Sequence, residues 1–344
     1  MSPERLEAIL SRYPRLRIAV IGDFCLDRYY EIDPELRETS IETGLPVHNV
    51  TRIRSQPGGA GTILNNLAAL GVGEIRPVGF HGDEGEGYEL RRALKQTPGV
   101  RLDRLFETAQ RRTFTYGKPL VLHKNKPPEE LNRLDLKNWT PTPPELRRRL
   151  AKAALEAGEN ADAVILLEQT EIPEAGAVTA EVLDAARELA ARRPELPILA
   201  DSRRGLRGWP ALSFKMNAFE LEKLVGSPCG EPAQIERVAL DLARSNRRPV
   251  FITLAERGIL GAEPGGRAFH EPALPVRGPI DIVGAGDAVT ANLAAALAAG
   301  ASVPEALRLA MLAASIVIHQ LGSTGAASPE QLRELYAETV GEPR

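Results

Sequence analysis

Four short, unbroken apolar runs recur along the chain: Arg17–Gly22 (RIAVIG), Ala163–Leu167 (AVILL), Ile198–Asp201 (ILAD) and Val250–Leu254 (VFITL). Runs of this length without polar alternation suit strands buried on both faces, as in a parallel sheet. Between them, apolar positions recur at helical spacing in Thr62–Leu70, Tyr88–Leu94, Pro144–Ala157, Ala175–Arg192, Glu220–Val225 and Glu236–Arg244. Strands alternating with helices predict an α/β fold, a doubly wound and mostly parallel sheet flanked by helices. In such sheets ligands gather at the carboxyl ends of the strands, where Asp23, Glu168 to Glu171 and Asp201 follow their apolar runs.

Two stretches break the alternation. Residues 28–56 and 111–136 are rich in Thr, Val, Tyr and charges, and predict short antiparallel strands forming a small lid over one edge of the sheet. The second stretch carries Lys118, His123, Lys124, Lys126 and Arg133. Lys124 and Lys126 read first as ordinary solvated charges. Gly79 to Gly87 is acidic, but its carboxylates lack calcium-loop spacing, so it reads as a turn into the helix at Tyr88.

The segment with the most chemistry is Asp281-Ile-Val-Gly284-Ala285-Gly286-Asp287, which runs into the Ala- and Leu-rich stretch Ala288–Ala299 and stops at Gly300. That stretch reads as a helix ended by glycine. Glycines before its first turn let backbone N–H groups converge on one spot, and the helix start favours negative charge there. Asp287 stands beside it. An anion hole next to a carboxylate base is what transfer of a phosphoryl group to a hydroxyl requires. Taken alone, the same residues also make a tight turn and an acid favoured by the helix dipole.

Charge narrows the partners. With 43 basic and 46 acidic residues the net charge is −3, which argues against nucleic acid or an anionic membrane. Cys25 and Cys229 are the only cysteines and have no metal-like spacing, so a reducing cytoplasm is the expected location. No run has the length of a membrane span, and no signal segment is expected. A Gly-x-Gly-x-x-Gly turn after the first strand, a Walker A sequence and a His-Glu-x-x-His pair are all missing, which removes dinucleotide dehydrogenases, P-loop kinases and zinc proteases.

Several elements occur in one order: Gly22-Asp23…Asp27, Gly58-Gly59…Asn66, Gln169-Thr-Glu171-Ile-Pro173, Asn217…Glu220, Thr253…Gly258 and Asp281…Gly284-Ala-Gly286-Asp287. From about Arg17 to Ser328 this order resembles the ribokinase-like (PfkB) carbohydrate kinases, whose signature Asp-Thr-x-Gly-Ala-Gly-Asp is matched with Ile282 in place of Thr. The start Gly22-Asp23-Phe-Cys-Leu-Asp27-Arg28-Tyr29, the stretch Pro57-Gly58-Gly59-Ala60…Asn66 to Gly71 and the Arg133-Leu-Asp135 pair look most like the branch that phosphorylates heptose 7-phosphate. Bifunctional members of that branch carry a second, nucleotidyl-transferring domain; residues 1–344 are expected to form one kinase domain with the lid strands inserted.

The resemblance implies roles. Asp287 would be the base, and Gly284, Ala285 and Gly286 the anion hole. Asp23, Asp27, Gly58, Gly59, Asn66 and Glu171 would hold the sugar, helped by Lys118 and Arg133 from the lid. Asn217, Glu220, Thr253 and Gly258 would serve ATP, with Glu220 holding Mg²⁺ through water. Asp281 and the carbonyl of Val283 would sit near a monovalent cation such as K⁺. Plainer readings stand beside these: Gly58-Gly59 as a turn, Asn217 as a helix cap, Glu220 as a first-turn acid, and Arg133 in a surface pair with Asp135 or Glu130.

The chain departs from the family at Thr62, Ala255 and Met311, where Asn, Gly and Asn are usual, and it lacks a Lys in Glu168–Pro173. The expected activity is ATP-dependent phosphorylation of a sugar or sugar-phosphate hydroxyl. A nucleoside kinase is the alternative within enzymes, with Tyr29, Tyr30, Phe114 and Tyr116 available to stack on a base. A sugar-sensing protein that has lost catalysis is the alternative outside them. The lid strands are expected to pair with those of a second copy in a homodimer.

Overall fold

The computed structural model describes residues 1–322 and 324–341. In chain order the strands are β1 (Arg17–Gly22), β2 (Phe24–Thr39), β3 (Pro46–Gly59), β4 (Glu74–Gly82), β5 (Leu105–Thr108), β6 (Phe114–Val121), β7 (Glu129–Glu130), β8 (Leu134–Leu136), β9 (Ala163–Glu168), β10 (Ile198–Ser202), β11 (Ser213–Asn217), β12 (Val250–Thr253), β13 (Ile259–Ala262) and β14 (Ala268–Glu271). The helices are α1 (Pro3–Leu10), α2 (Ala60–Ala69), α3 (Gly85–Gln96), α4 (Pro144–Glu159), α5 (Ala180–Arg192), α6 (Ala218–Val225), α7 (Pro232–Asn246), α8 (Ala285–Ala298), α9 (Val303–Val317) and α10 (Pro329–Gly341).

Nine strands form the main sheet in the order β14-β13-β12-β11-β10-β9-β1-β4-β5. All neighbours pair in parallel except at the β12–β13–β14 edge. The apolar runs form strands because alternate residues enter two separate cores. Ile18 and Val20 of β1 pack with α1, α2, α3, α8, α9 and α10. Ala19 and Ile21 pack with α4, α5, α6 and α7. Each fully buried Val or Ile contributes about 1.5–3 kcal/mol, and burial on both faces leaves no room for polar alternation.

The lid is a second sheet, β3-β2-β6-β7 with β8 also on β6. It corrects the sequence expectation twice. Its two principal strands are long, 16 and 14 residues, and β2 runs parallel to β6. The reason is directional: β2 leaves the carboxyl end of β1 and β6 follows β5, and both parent strands point the same way. The helix expected from Ala175 also begins later, at Ala180. The Gly176 carbonyl accepts from the Thr142 hydroxyl at 2.8 Å and the Ala177 amide donates to Asp23 at 2.7 Å, which diverts that backbone from helical pairing.

Asp23 therefore ties several elements together. Its carboxylate accepts N–H bonds from Gln169 (2.9 Å), Thr170 (3.0 Å) and Ala177 (2.7 Å). Its carbonyl accepts from Ala60 at the start of α2, and its own N–H donates to Leu167. A Cβ on Gly176 would come within 2.2 Å of the carboxylate, so only glycine permits that approach. Burial pushes the carboxyl's pKa up, and the three amides and the charge of Arg204 oppose it. Asp23→Ala would strand three buried donors, each bond to a charged acceptor being worth about 1.5–3 kcal/mol. The expected result in urea unfolding is a loss of about 3 kcal/mol or more, partly restored in Asp23→Asn; a loss below about 1 kcal/mol would show that the loop is held elsewhere.

Candidate active site

Over the carboxyl ends of β1, β9 and β10 the lid and the main sheet enclose a cavity of about 550 Å³. The lid contributes Asp27, Tyr116, Lys118, Glu130, Arg133, Asp135 and Lys137 to its wall. Gly59 and Thr62 come from the entry to α2, Gln169, Thr170 and Glu171 from the loop after β9, and Arg203 from the turn after β10. Val283, Gly284, Asp287 and Thr324 complete the lining.

Gly284 is the N-cap of α8 with φ +84°, and a Cβ there would press on Thr324 at 3.1 Å. Among the described residues the N–H groups of Gly286 and Asp287 donate to no backbone oxygen, whereas that of Ala285 turns back to Ile282. The free donors at this helix start are thus Gly286 and Asp287, with Gly284 shaping the turn. The Asp287 carboxylate has no hydrogen-bond partner among the described residues. Burial pushes its pKa up to about 7, Asp201 adds to the rise, and Lys215 and Arg203 oppose it. A carboxylate that titrates near neutrality, beside free amides, suits proton abstraction next to a developing anion.

Behind Asp287 lies a buried charge pair that the sequence reading did not single out. The Lys215 ammonium, in the middle of β11, donates to Asp201 Oδ2 at 2.8 Å. The Thr290 hydroxyl of α8 lies 3.2 Å from the same oxygen. The available signal was a lysine inside the otherwise apolar strand Ser213–Asn217. Arg203 and Lys137 were missed as well, and both lie where local pattern predicts only loop.

The sugar-side residues separate into two groups. Asp27, Gly59, Lys118, Arg133 and Glu171 reach the cavity. Asp27 pairs with Lys118 at 3.4 Å, and a Cβ on Gly58 would strike the Asp27 carboxylate at 2.8 Å, so Gly58 makes room for the pair. Arg133 is paired with Asp135 at 2.9 Å and lies over the Tyr116 ring. Asp23 and Asn66, by contrast, are buried beneath the cavity wall. Asp23 spends both carboxylate oxygens on the loop amides, and Asn66 donates its amide to the carbonyls of Thr62 and Gly325. Both act on the site from below, by fixing its walls.

The residues expected on the nucleotide side gather at the carboxyl ends of β11 and β12, outside that cavity. Asn217 caps α6, accepting from the Glu220 N–H while Glu220 accepts from the Asn217 N–H, both at 2.8 Å. Burial pushes the pKa of Glu220 up, as does Asp201. Thr253 ends β12, and Gly258 holds φ +95° where a Cβ would meet the Glu271 carbonyl at 2.1 Å. Ala255, in place of the usual glycine, has φ +53°, the left-handed region that glycine favours. Asp281 closes its own loop, accepting from the N–H groups of Val283 (3.0 Å) and Gly322 (3.3 Å). No described helix is long and apolar enough to cross a membrane.

Comparison with known proteins bears on this geometry. Ribokinase of Arabidopsis thaliana, solved with ribose and ATP, superposes with a TM-score of 0.69 at 22% identity, covering 93% of this chain and 98% of that one. Phosphofructokinase-2 of Escherichia coli, in complex with fructose-6-phosphate, gives 0.69 at 19% identity, covering 94% and 99%. At those identities the likeness concerns the fold, which is ribokinase-like. The bifunctional protein HldE of Gluconacetobacter diazotrophicus is 32% identical over 328 residues, and that of Coxiella burnetii 33% over 342. The alignments cover 95% and 96% of this chain but 65% and 66% of those proteins, so the chain spans just under two thirds of their length. The profile of the pfkB family carbohydrate kinases matches residues 16–331. With nearly its whole length matched, the chain belongs to the pfkB family of carbohydrate kinases.

Proposed function

We propose that this sugar kinase transfers the γ-phosphoryl group of ATP to a hydroxyl of a sugar that already carries a phosphate, of the heptose 7-phosphate kind. The observation that carries this reading is the cluster of lid cations in the cavity wall, Lys118, Arg133 and Lys137, each held by a lid carboxylate, Asp27 or Asp135. Asp27 and Glu171 suit sugar hydroxyls, and the planar fork of Arg133 suits phosphate oxygens that would take the place of Asp135. The similarity to HldE proteins points the same way.

In this reading the acceptor hydroxyl lies against Asp287, which takes its proton as the oxygen attacks phosphorus. The new O–P bond forms while the bond from the γ-phosphorus to the bridging oxygen breaks, and ADP leaves. Charge on the migrating group meets the N–H groups of Gly286 and Asp287, and Arg203 is near enough to lower the proton affinity of both Asp287 and Glu220. Glu220, in the first turn of α6, would hold Mg²⁺ through a water. Mg²⁺ would neutralise the phosphate oxygens.

A nucleoside acceptor is disfavoured by the aromatics. Of Tyr29, Tyr30, Phe114 and Tyr116, only Tyr116 lines the cavity, and Arg133 lies over its ring; Phe114 is buried, and Tyr30 lines a separate pocket of the lid. A silent sensor would have no use for an unpartnered carboxylate at a helix start. The same reading extends to assembly. The edge strand β3 exposes Val47, Val50 and Ile53, which a lid from a second copy would cover.

Asp287→Asn should lower kcat by about 10²–10⁴-fold with ATP binding retained. Because the base works ionised, wild-type kcat/KM should fall about tenfold per pH unit below about 7. Full turnover of the Asn variant, or a flat profile down to about pH 5, would remove Asp287 from the role. Arg133→Ala should raise KM for heptose 7-phosphate about tenfold while leaving the unphosphorylated sugar within about twofold; equal effects on both acceptors would contradict a phosphate contact. Sedimentation should give a dimer that Val50→Glu converts to monomer, and a monomeric wild type would refute assembly through the lid.

A further inference from the structure

Lys215 is the one buried lysine among the described residues, and it sits in the middle of a parallel strand. Its ammonium is fixed through Asp201. Asp201 at the end of β10 accepts from it at 2.8 Å, and Asp201 is in turn held by the Thr290 hydroxyl, which also contacts the Gly286 carbonyl at 3.0 Å. Thr290 follows Asp287 by three residues on α8, so this network clamps the lysine under the first turn of that helix. A Cβ on Gly286 would come within 3.3 Å of the Lys215 nitrogen. The ammonium therefore lies directly beneath the backbone that carries the free amides and the base.

A buried ion pair is poor evidence for a stabilising role, because apolar residues of similar volume do as well or better. Its placement under one functional segment is better explained by what its charge does there. We propose that Lys215 is a positioning residue whose fixed ammonium, set under the first turn of α8, limits the gain in proton affinity that burial and Asp201 impose on Asp287. The inference rests on the reading of Asp287 as the base. The charged groups facing Asp287 are Asp201 at the end of β10, Arg203 after it, Lys215 on β11 and Asp27 on β2, with the neutral thiol of Cys25 beside Asp27. Of the two cations, Arg203 is exposed and open to screening by salt, whereas Lys215 is buried and screened little. Burial pulls the lysine's own pKa down, but Asp201 together with Asp287 and Glu220 raises it overall, so the ammonium stays charged across the working range.

The test follows the carboxyl ¹³C shift of Asp287 against pH in the full-length, aspartate-labelled protein, with the signal assigned by its loss in Asp287→Asn. The wild-type midpoint should lie at about 7. Lys215→Met should raise it by about one unit or more, Asp201→Asn should lower it, and Lys215→Arg should keep it within about half a unit. Opposite displacements from the two halves of one ion pair are a charge signature that a packing role does not produce. An unchanged midpoint in Lys215→Met would overturn the proposal.

If Lys215→Met fails to fold with Asp201 left unpaired, Asp201→Asn and the double variant Asp201→Asn/Lys215→Met make the same comparison without a buried lone carboxylate. The midpoint must then be higher in the double variant, and equal midpoints overturn the proposal. The acid limb of kcat/KM with heptose 7-phosphate separates the two claims. A midpoint that moves while the limb stays still would leave Lys215 in its role and refute Asp287 as the base.

Discussion

The site depends on Asp23. One carboxylate at the end of β1 gathers three amides of the loop after β9, and its backbone pairs with β9 and with the start of α2. Glu171, Thr170, Gln169, Gly59 and Thr62 all reach the cavity from segments that this residue ties down. A buried carboxylate is tolerated there because donors surround it. One of those donors, the Ala177 amide, is then unavailable for a helix at Ala175 to Thr179, and the loop keeps its irregular course. Stability and site geometry are here one set of hydrogen bonds.

Around Asp287 the constraint is charge. Asp287, Asp201, Asp27 and Glu220 crowd a small volume, and burial raises the proton affinity of both Asp287 and Glu220. Lys118 answers Asp27, Lys215 answers Asp201, and Arg203 faces Asp287 and Glu220 from the rim. This balance leaves one carboxylate, Asp287, both unpartnered and close to neutrality in its titration. Oriented amides beside it supply positive potential without needing to reorganise.

Much of this was legible in the sequence where the cause is local. The segment from Gly284 to Asp287 announces a helix start with free amides because glycine spacing and a following helical period are neighbours in the chain. The buried strands were legible for the same reason, since two-sided burial leaves an unbroken apolar run. Residues whose role depends on distant partners were harder. Asp23 meets its loop 146 to 154 residues away, so its carboxylate read as a sugar contact when it is in fact occupied by backbone. Lys215 drew no reading from the sequence, because its partner Asp201 and the Thr290 that holds Asp201 come from other elements. The parallel pairing of β2 with β6 leaves no trace in alternation, which is the same for either strand direction. Arg133 shows both of its sequence readings at once, a cavity cation and a partner of Asp135.

The central claim is that phosphoryl transfer takes place between Asp287 and the free amides at the start of α8. A crystal structure with ADP, Mg²⁺, aluminium fluoride and heptose 7-phosphate tests it most directly. The account predicts the metal fluoride within about 3 Å of the Gly286 and Asp287 nitrogens, with an acceptor hydroxyl at hydrogen-bond distance from the Asp287 carboxylate. A fluoride group bound elsewhere, or an acceptor whose hydroxyls all lie beyond reach of Asp287, would contradict it.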